Sequence, residues 1–137
     1  MIVLDTNVVS EPFKTPPSLK VIEWLDNQAA ETLYITAVTR FELRFGVMKL
    51  SDGKRKKALR EDVERVLDLF KDRMLSFDSD AADQLAIIAA HCEKIGKRAV
   101  APDAYIAACA AARGFAVATR NVSHFEHTGV RVINPWE

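Results

Sequence analysis

Short apolar runs alternate with stretches of helical periodicity along the whole chain. Ile2-Val3-Leu4 is the first run and reads as a buried strand. A short helix near Asn7 follows and ends by Pro12, and 13–17 reads as a loop. Ser18 stands where it can cap a helix running to about Ala29, with Leu19, Ile22, Trp24 and Leu25 as its apolar side. Leu33-Tyr34-Ile35-Thr36 predicts a second strand. It leads into a helix over 38–50 with Phe41, Phe45 and Met48 on one face. After the turn Ser51-Asp52-Gly53, residues 54–73 predict a charged helix with Val63, Val66, Leu67 and Phe70 as its buried stripe. Leu75-Ser76-Phe77 reads as a third strand. Asp78 or Ser79 caps the next helix, which stops at Gly96, and Pro102 opens an Ala-rich helix that stops at Gly114. Strands over 115–119 and 130–133 close the pattern.

Strands separated by helices predict an α/β protein: a three-layer α/β/α sandwich around a central parallel five-stranded sheet. A chain of 137 residues fits a single domain, spanning 1–137. In such sheets functional groups gather beyond the carboxyl ends of the strands. Asp5 directly follows the first strand. Glu42 lies about one turn into the helix that leaves the second. Asp103 begins the helix that leads into the fourth strand, and Asn121 lies just past that strand's end. Four oxygen-bearing side chains therefore meet on one rim, with Thr6 and Asn7 beside Asp5.

Three carboxylates in one place need a partner. Two of them ~4 Å apart repel by about 4 kcal/mol at an effective dielectric of 20. Such a group traps a proton or binds a cation. Oxygen donors without His or Cys suit Mg²⁺, or Mn²⁺, rather than zinc. A carboxylate-held Mg²⁺ with a bound water is equipped for phosphodiester hydrolysis.

Composition narrows the class. Hydrophobic residues make up 49% and charged residues 28%, which excludes a disordered or low-complexity chain. No apolar run approaches the roughly 20 residues of a membrane span. The start MIVLDTNVVSEPF lacks a basic region, so no signal peptide is expected. Net charge is zero, which excludes a globally basic nucleic-acid binder but not a local basic patch. Cys92 and Cys109 sit in Ala-rich stretches without metal spacing and read as buried thiols in a reducing cytoplasm.

Four motifs then carry a resemblance. I-V-L-D-T-N at the start, T-R-F-E-L-R-F-G-V over 39–47, A-P-D-A-Y-I-A-A over 101–108 and T-R-N-V-S-H-F over 119–125 resemble the PIN domain, in the expected order and over essentially the whole chain. The run to I-N-P-W-E is similar to VapC/FitB-type toxins of bacterial toxin–antitoxin pairs. The resemblance implies Mg²⁺-dependent cleavage of RNA, a homodimer, and a cognate antitoxin that blocks the site. It maps the family's first three acids to Asp5, Glu42 and Asp103, as metal-holding and catalytic residues. The fourth position is Asn121, where many relatives carry Asp. Thr119 of the same motif is a supporting residue that bonds an acid or a water.

Other roles compete for the same residues. Asp5 can cap a helix, Asp103 suits a helix's first turn, and Asn121 suits a turn. Arg40, Arg44 and Arg120 flank the acidic motifs and are candidates for phosphate contact. Lys54-Arg55-Lys56-Lys57 reads as a solvated helix face, and His91, His124 and His127 as surface or capping residues. The aromatic residues read as core. An acidic pocket attracts an antitoxin arginine, and apolar faces around 7–13 and 37–50 would hold a partner helix. Two alternatives stay open. One is a catalytically inactive PIN-like binding protein. The other is a phosphatase with Asp5 as nucleophile, although Asn7 stands where that chemistry wants a second Asp.

Overall fold

The computed structural model describes all of residues 1–137. Its strands are β1 (Ile2–Leu4), β2 (Leu33–Thr36), β3 (Met74–Leu75), β4 (Ala116–Ala118) and β5 (Val132–Ile133). Its helices are α1 (Thr6–Ser10), α2 (Leu19–Asp26), α3 (Ala37–Met48), α4 (Lys54–Leu69), α5 (Ser79–Lys94), α6 (Asp103–Arg113) and α7 (Val122–Phe125). Single 3-10 turns fill Glu11–Phe13 and Ala30–Thr32. The strands form one sheet in the order β3-β2-β1-β4-β5, every neighbouring pair parallel.

Period-two alternation divides the core into two layers. Ile2 and Leu4 of β1, Leu33 and Ile35 of β2 and Ala118 of β4 point to one face. There they meet Val8, Val21, Leu43, Val47, Val63 and Leu67 from α1 to α4. Val3 and Val117 point to the other face, against Ile88 and Cys92 of α5 and Ile106, Ala107 and Ala110 of α6. The small side chains of α6 let its backbone lie close to both α5 and the sheet. The three-layer α/β/α reading is what the molecule adopts.

The sheet order places the candidate site. From β1 the chain moves through β2 to β3 on one side, then returns to lay β4 and β5 on the other. The direction of winding reverses between β1 and β4, which opens a crevice at the carboxyl ends of those two strands. Asp5 leaves β1 at that crevice, and its N–H donates to Ala118 O of β4 at 2.9 Å.

Several expectations shift. The buried stripe of α3 is Thr39, Leu43 and Val47, whereas Phe41, Phe45 and Met48 are 61%, 55% and 75% exposed. Residues 41 and 43 lie about 200° apart on a helix, so one apolar set must face away from the sheet. The aromatics are therefore not all core, and Phe41 and Phe45 stack on each other in the open with ring centroids 5.9 Å apart. The apolar residues of 7–13 go the other way. Val8 and Val9 are buried in the core and Phe13 packs against it, so they offer no open groove. On α2 the buried residue is Val21, while Leu19 is exposed. Ser18 occupies the N-cap without a side-chain bond; its N–H instead donates to Glu11 Oε1 at 2.9 Å.

β3 forms at Met74–Leu75, earlier than expected, because α4 ends at Leu69 and Arg73 O already accepts the Ile35 N–H of β2 at 3.0 Å. The stripe of α4 is as expected, with Val63, Leu67 and Phe70 buried and Val66 packed against them. Asp78 caps α5 by accepting the Ala81 N–H, and Gly114, at φ 70°, ends α6 in the left-handed conformation. Cys92 and Cys109 are free and buried, and burial pushes the Cys109 thiol up to about 11.

Candidate active site

Asp5 sits one residue past β1 and is the N-cap of α1. Its side chain is almost sealed from solvent, the residue being 2% exposed. Oδ1 accepts the Thr6 N–H at 2.7 Å. Oδ2 accepts the Thr119 hydroxyl at 2.7 Å and the Asn7 side-chain amide at 3.3 Å. The capping role and the site role thus coexist in one carboxylate. Thr119 is itself fixed, since its N–H donates to Ile133 O of β5 at 2.9 Å and its hydroxyl oxygen accepts the Asn121 N–H at 3.0 Å.

Glu42 lies in the second turn of α3, and its Oε1 accepts the Thr6 hydroxyl at 2.6 Å. The Thr6 oxygen also lies 3.1 Å from the hydroxyl of Thr39, a buried residue of the same helix. Asp103 opens α6 and is buried, with Oδ2 2.6 Å from His124 Nδ1.

The electrostatics tie the acids together. Burial is the main force raising Asp5 to about 6. The Thr119 and Thr6 bonds oppose it, and the negative charges of Asp103 and Glu42 add to it. Glu42 is also raised, first by burial and then by Asp103, against the Thr6 hydroxyl bond. Each of these two carboxylates feels Asp103, so the three behave as one unit.

Each acid is held by a neutral or ring donor from a neighbouring segment. For Glu42 and Asp103 only one oxygen is held. Oε2 of Glu42 and Oδ1 of Asp103 accept no protein donor, and neither is sealed from solvent. Nowhere do three or more His, Cys, Asp or Glu side chains form a ready-made ligand set for a metal ion. The carboxylates are close enough to feel one another's charge, and that repulsion opposes drawing them into a closed cage. The donor set still fits a hard divalent cation, because Mg²⁺ keeps several waters and uses only one or two carboxylates plus substrate oxygens.

A family model described as PIN domain matches residues 2–130. The chain belongs to the PIN domain family. Among its relatives is the VapC ribonuclease Y4jK of Sinorhizobium fredii, 47% identical over 100% of this chain and 99% of that protein. Another is Toxin FitB of Neisseria gonorrhoeae, 44% identical over 99% of each. A solved structure of FitAB bound to an IR36 DNA fragment superimposes with a TM-score of 0.95 at 43% identity, covering 100% of this chain and 96% of that one.

In this PIN domain the remaining expected residues scatter. Asn121 is exposed and contributes its backbone N–H to Thr119 rather than a side-chain bond to any acid. Arg44 turns away to α4, where it pairs with Glu64 at 2.5 Å. Arg120 is exposed. Its N–H donates to Asn7 Oδ1 at 3.3 Å and its guanidinium lies over the Trp136 ring at 5.4 Å. Arg40 is exposed on α3. Lys54, Arg55 and Lys57 are exposed, as a solvated helix face requires.

Two residues of the PIN domain escape sequence reasoning. His124 reaches Asp103, a contact legible only as a ring three residues beyond Asn121 in the same turn. Glu11 is buried at 4% exposure. Burial pushes its carboxyl up, yet the Lys14 ammonium at 2.9 Å, the Ser18 N–H and the Arg120 charge outweigh burial and hold it below the usual range. Nothing in its sequence setting distinguishes it from a solvated Glu.

Proposed function

We propose that this PIN domain is a divalent-metal-dependent ribonuclease, the toxin of a type II toxin–antitoxin pair, acting in the cytoplasm as a homodimer and silenced by a cognate antitoxin. One observation carries the reading. Asp5, Glu42 and Asp103 arrive from three separate elements at the winding reversal of the sheet, are raised or buried there together, and leave two carboxylate oxygens free. The likeness to a VapC ribonuclease and to Toxin FitB over nearly the whole of each chain supports it.

Asp5, Glu42 and Asp103 would hold the ion, Mg²⁺ with Mn²⁺ as a substitute, and Asn121 would serve them only through its N–H bond to Thr119, the partner of Asp5. A bound divalent ion supplies charge neutralisation at the scissile phosphate and a more acidic water. The free Oε2 of Glu42 and Oδ1 of Asp103 are the atoms placed to accept a proton from an attacking water. Thr6, Asn7 and Thr119 hold the carboxylates still, so little reorganisation accompanies reaction. Arg40 and Arg120, exposed near these motifs, are the cations available to substrate phosphates; Arg44 is engaged by Glu64.

The phosphatase alternative fits poorly, because Asn7 stands where that chemistry wants a second Asp, and its amide donates to Asp5 Oδ2 at 3.3 Å. The exposed Phe41, Phe45 and Met48 face, together with the acidic crevice, is the surface available to a partner helix and its arginine.

The test is cleavage of RNA by the purified protein with Mg²⁺ or Mn²⁺, with EDTA and with Asp5→Asn, followed by sequencing of RNA ends in cells after brief induction. Metal-dependent cleavage that Asp5→Asn abolishes is expected. An Asp5→Asn protein that cleaves as well as the parent overturns the assignment, and a parent that binds no metal returns the chain to the inactive binding class.

A further inference from the structure

One short segment grips two of the three acids, and one of its grips has no counterpart in the motif reading. Thr119 donates its hydroxyl to Asp5 Oδ2 at 2.7 Å. Five residues on, His124 places Nδ1 2.6 Å from Asp103 Oδ2. Between them the Asn121 N–H closes onto Thr119, and the His124 N–H closes onto Asn121 O at 3.0 Å. The next residue, Phe125, is fully buried and anchors α7 in the core. The backbone of His124 is therefore held on both sides, while its side chain remains 39% exposed.

We infer that His124 is a positioning residue for Asp103, and that residues 119–124 act as a two-pronged clamp setting the spacing of Asp5 and Asp103 for the ion. The inference rests on the ribonuclease reading and adds a residue to it. An ionised carboxylate only accepts, so this contact calls for the His124 tautomer that carries its proton on Nδ1. Donation to Oδ2 fixes the rotation of the Asp103 carboxyl and leaves Oδ1 as its free atom. Such outer-shell partners of ligating carboxylates set metal affinity, and losing one costs about 10–100-fold. Asn121, in the position the motif assigns, makes no bond of this kind.

The experiment compares the whole protein with His124→Phe, which keeps a ring and removes the donor. It also compares His124→Asn, whose amide nitrogen occupies nearly the place of Nδ1. MnCl₂ binding is measured by calorimetry, unfolding temperature is measured in EDTA, and the parent's imidazole nitrogens are read by long-range ¹H–¹⁵N spectra. Mn²⁺ affinity about 10–100-fold weaker in His124→Phe, near-parent affinity in His124→Asn, and a proton on Nδ1 of His124 support the clamp. Equal affinity in parent and His124→Phe overturns it while leaving the ribonuclease reading in place. So does an equal loss in both variants, which would mark a purely structural contact, or a His124 protonated on Nε2 alone. A parent that takes up no Mn²⁺ overturns both.

Discussion

The hydroxyl of Thr119 donates to Asp5 Oδ2 at 2.7 Å, joining the end of β4 to the end of β1 across the crevice where the sheet reverses. The bond runs between buried groups, so its loss leaves a carboxylate oxygen underserved. Thr119→Val keeps the shape and removes the donor. It should cost about 1–3 kcal/mol of stability and push the Asp5 carboxyl further up. Urea unfolding and an NMR titration of Asp5 check both; an unchanged Asp5 titration refutes the second.

The raised pKa of Asp5 has a stability consequence with a definite sign. The ion-free folded chain binds the Asp5 proton more tightly than the unfolded chain. That contribution is fully present below about pH 4 and is lost as pH climbs through about 6. From 3.8 to about 6, its size is about 3 kcal/mol at most. Glu42, also raised, adds a slope of the same sign. Asp5→Asn should flatten most of the dependence. Unfolding in EDTA at pH 4.5 and pH 7.5 measures it, and a parent more stable at the higher pH contradicts the Asp5 account.

Divalent ions should reverse that penalty. With Mn²⁺ at about 100 times its Kd, the fold should gain about 2.7 kcal/mol, on the order of 10 °C in Tm. The gain should vanish on adding EDTA and be absent in Asp5→Asn. A thermal scan with and without Mn²⁺ is enough, and no shift in the parent speaks against ion binding.

The two faces of α3 should respond oppositely to mutation. Leu43→Ala, at a core position, should cost about 2–5 kcal/mol. Phe41→Ser, on the open face, should change stability by less than about 1 kcal/mol in the isolated chain. Chemical denaturation of the two variants compares them; a Phe41→Ser loss equal to that of Leu43→Ala would mean the outer face is covered.

Sequence periodicity alone determined the element order, the parallel α/β/α class and the rim on which Asp5, Glu42 and Asp103 lie. Those features follow from local rules: a strand has period two, a helix 3.6, and in a parallel sheet every strand ends on the same edge. Thr6 and Asn7 were also legible, as polar groups beside Asp5 in chain order, and Thr119 through the resembled motif it shares with Asn121. Tertiary structure decided what local rules leave degenerate. α3 carries two apolar stripes, and only the approach of the sheet selected Leu43 and Val47 over Phe41 and Phe45. The span of β3 depended on where Arg73 meets β2. His124, not Asn121, came to hold Asp103 because Phe125 locks α7 into the core and turns its neighbour toward α6. Arg44 went to Glu64 because α4 folds back along α3. Each of these outcomes depends on distance between residues far apart in the chain, a quantity no local pattern encodes.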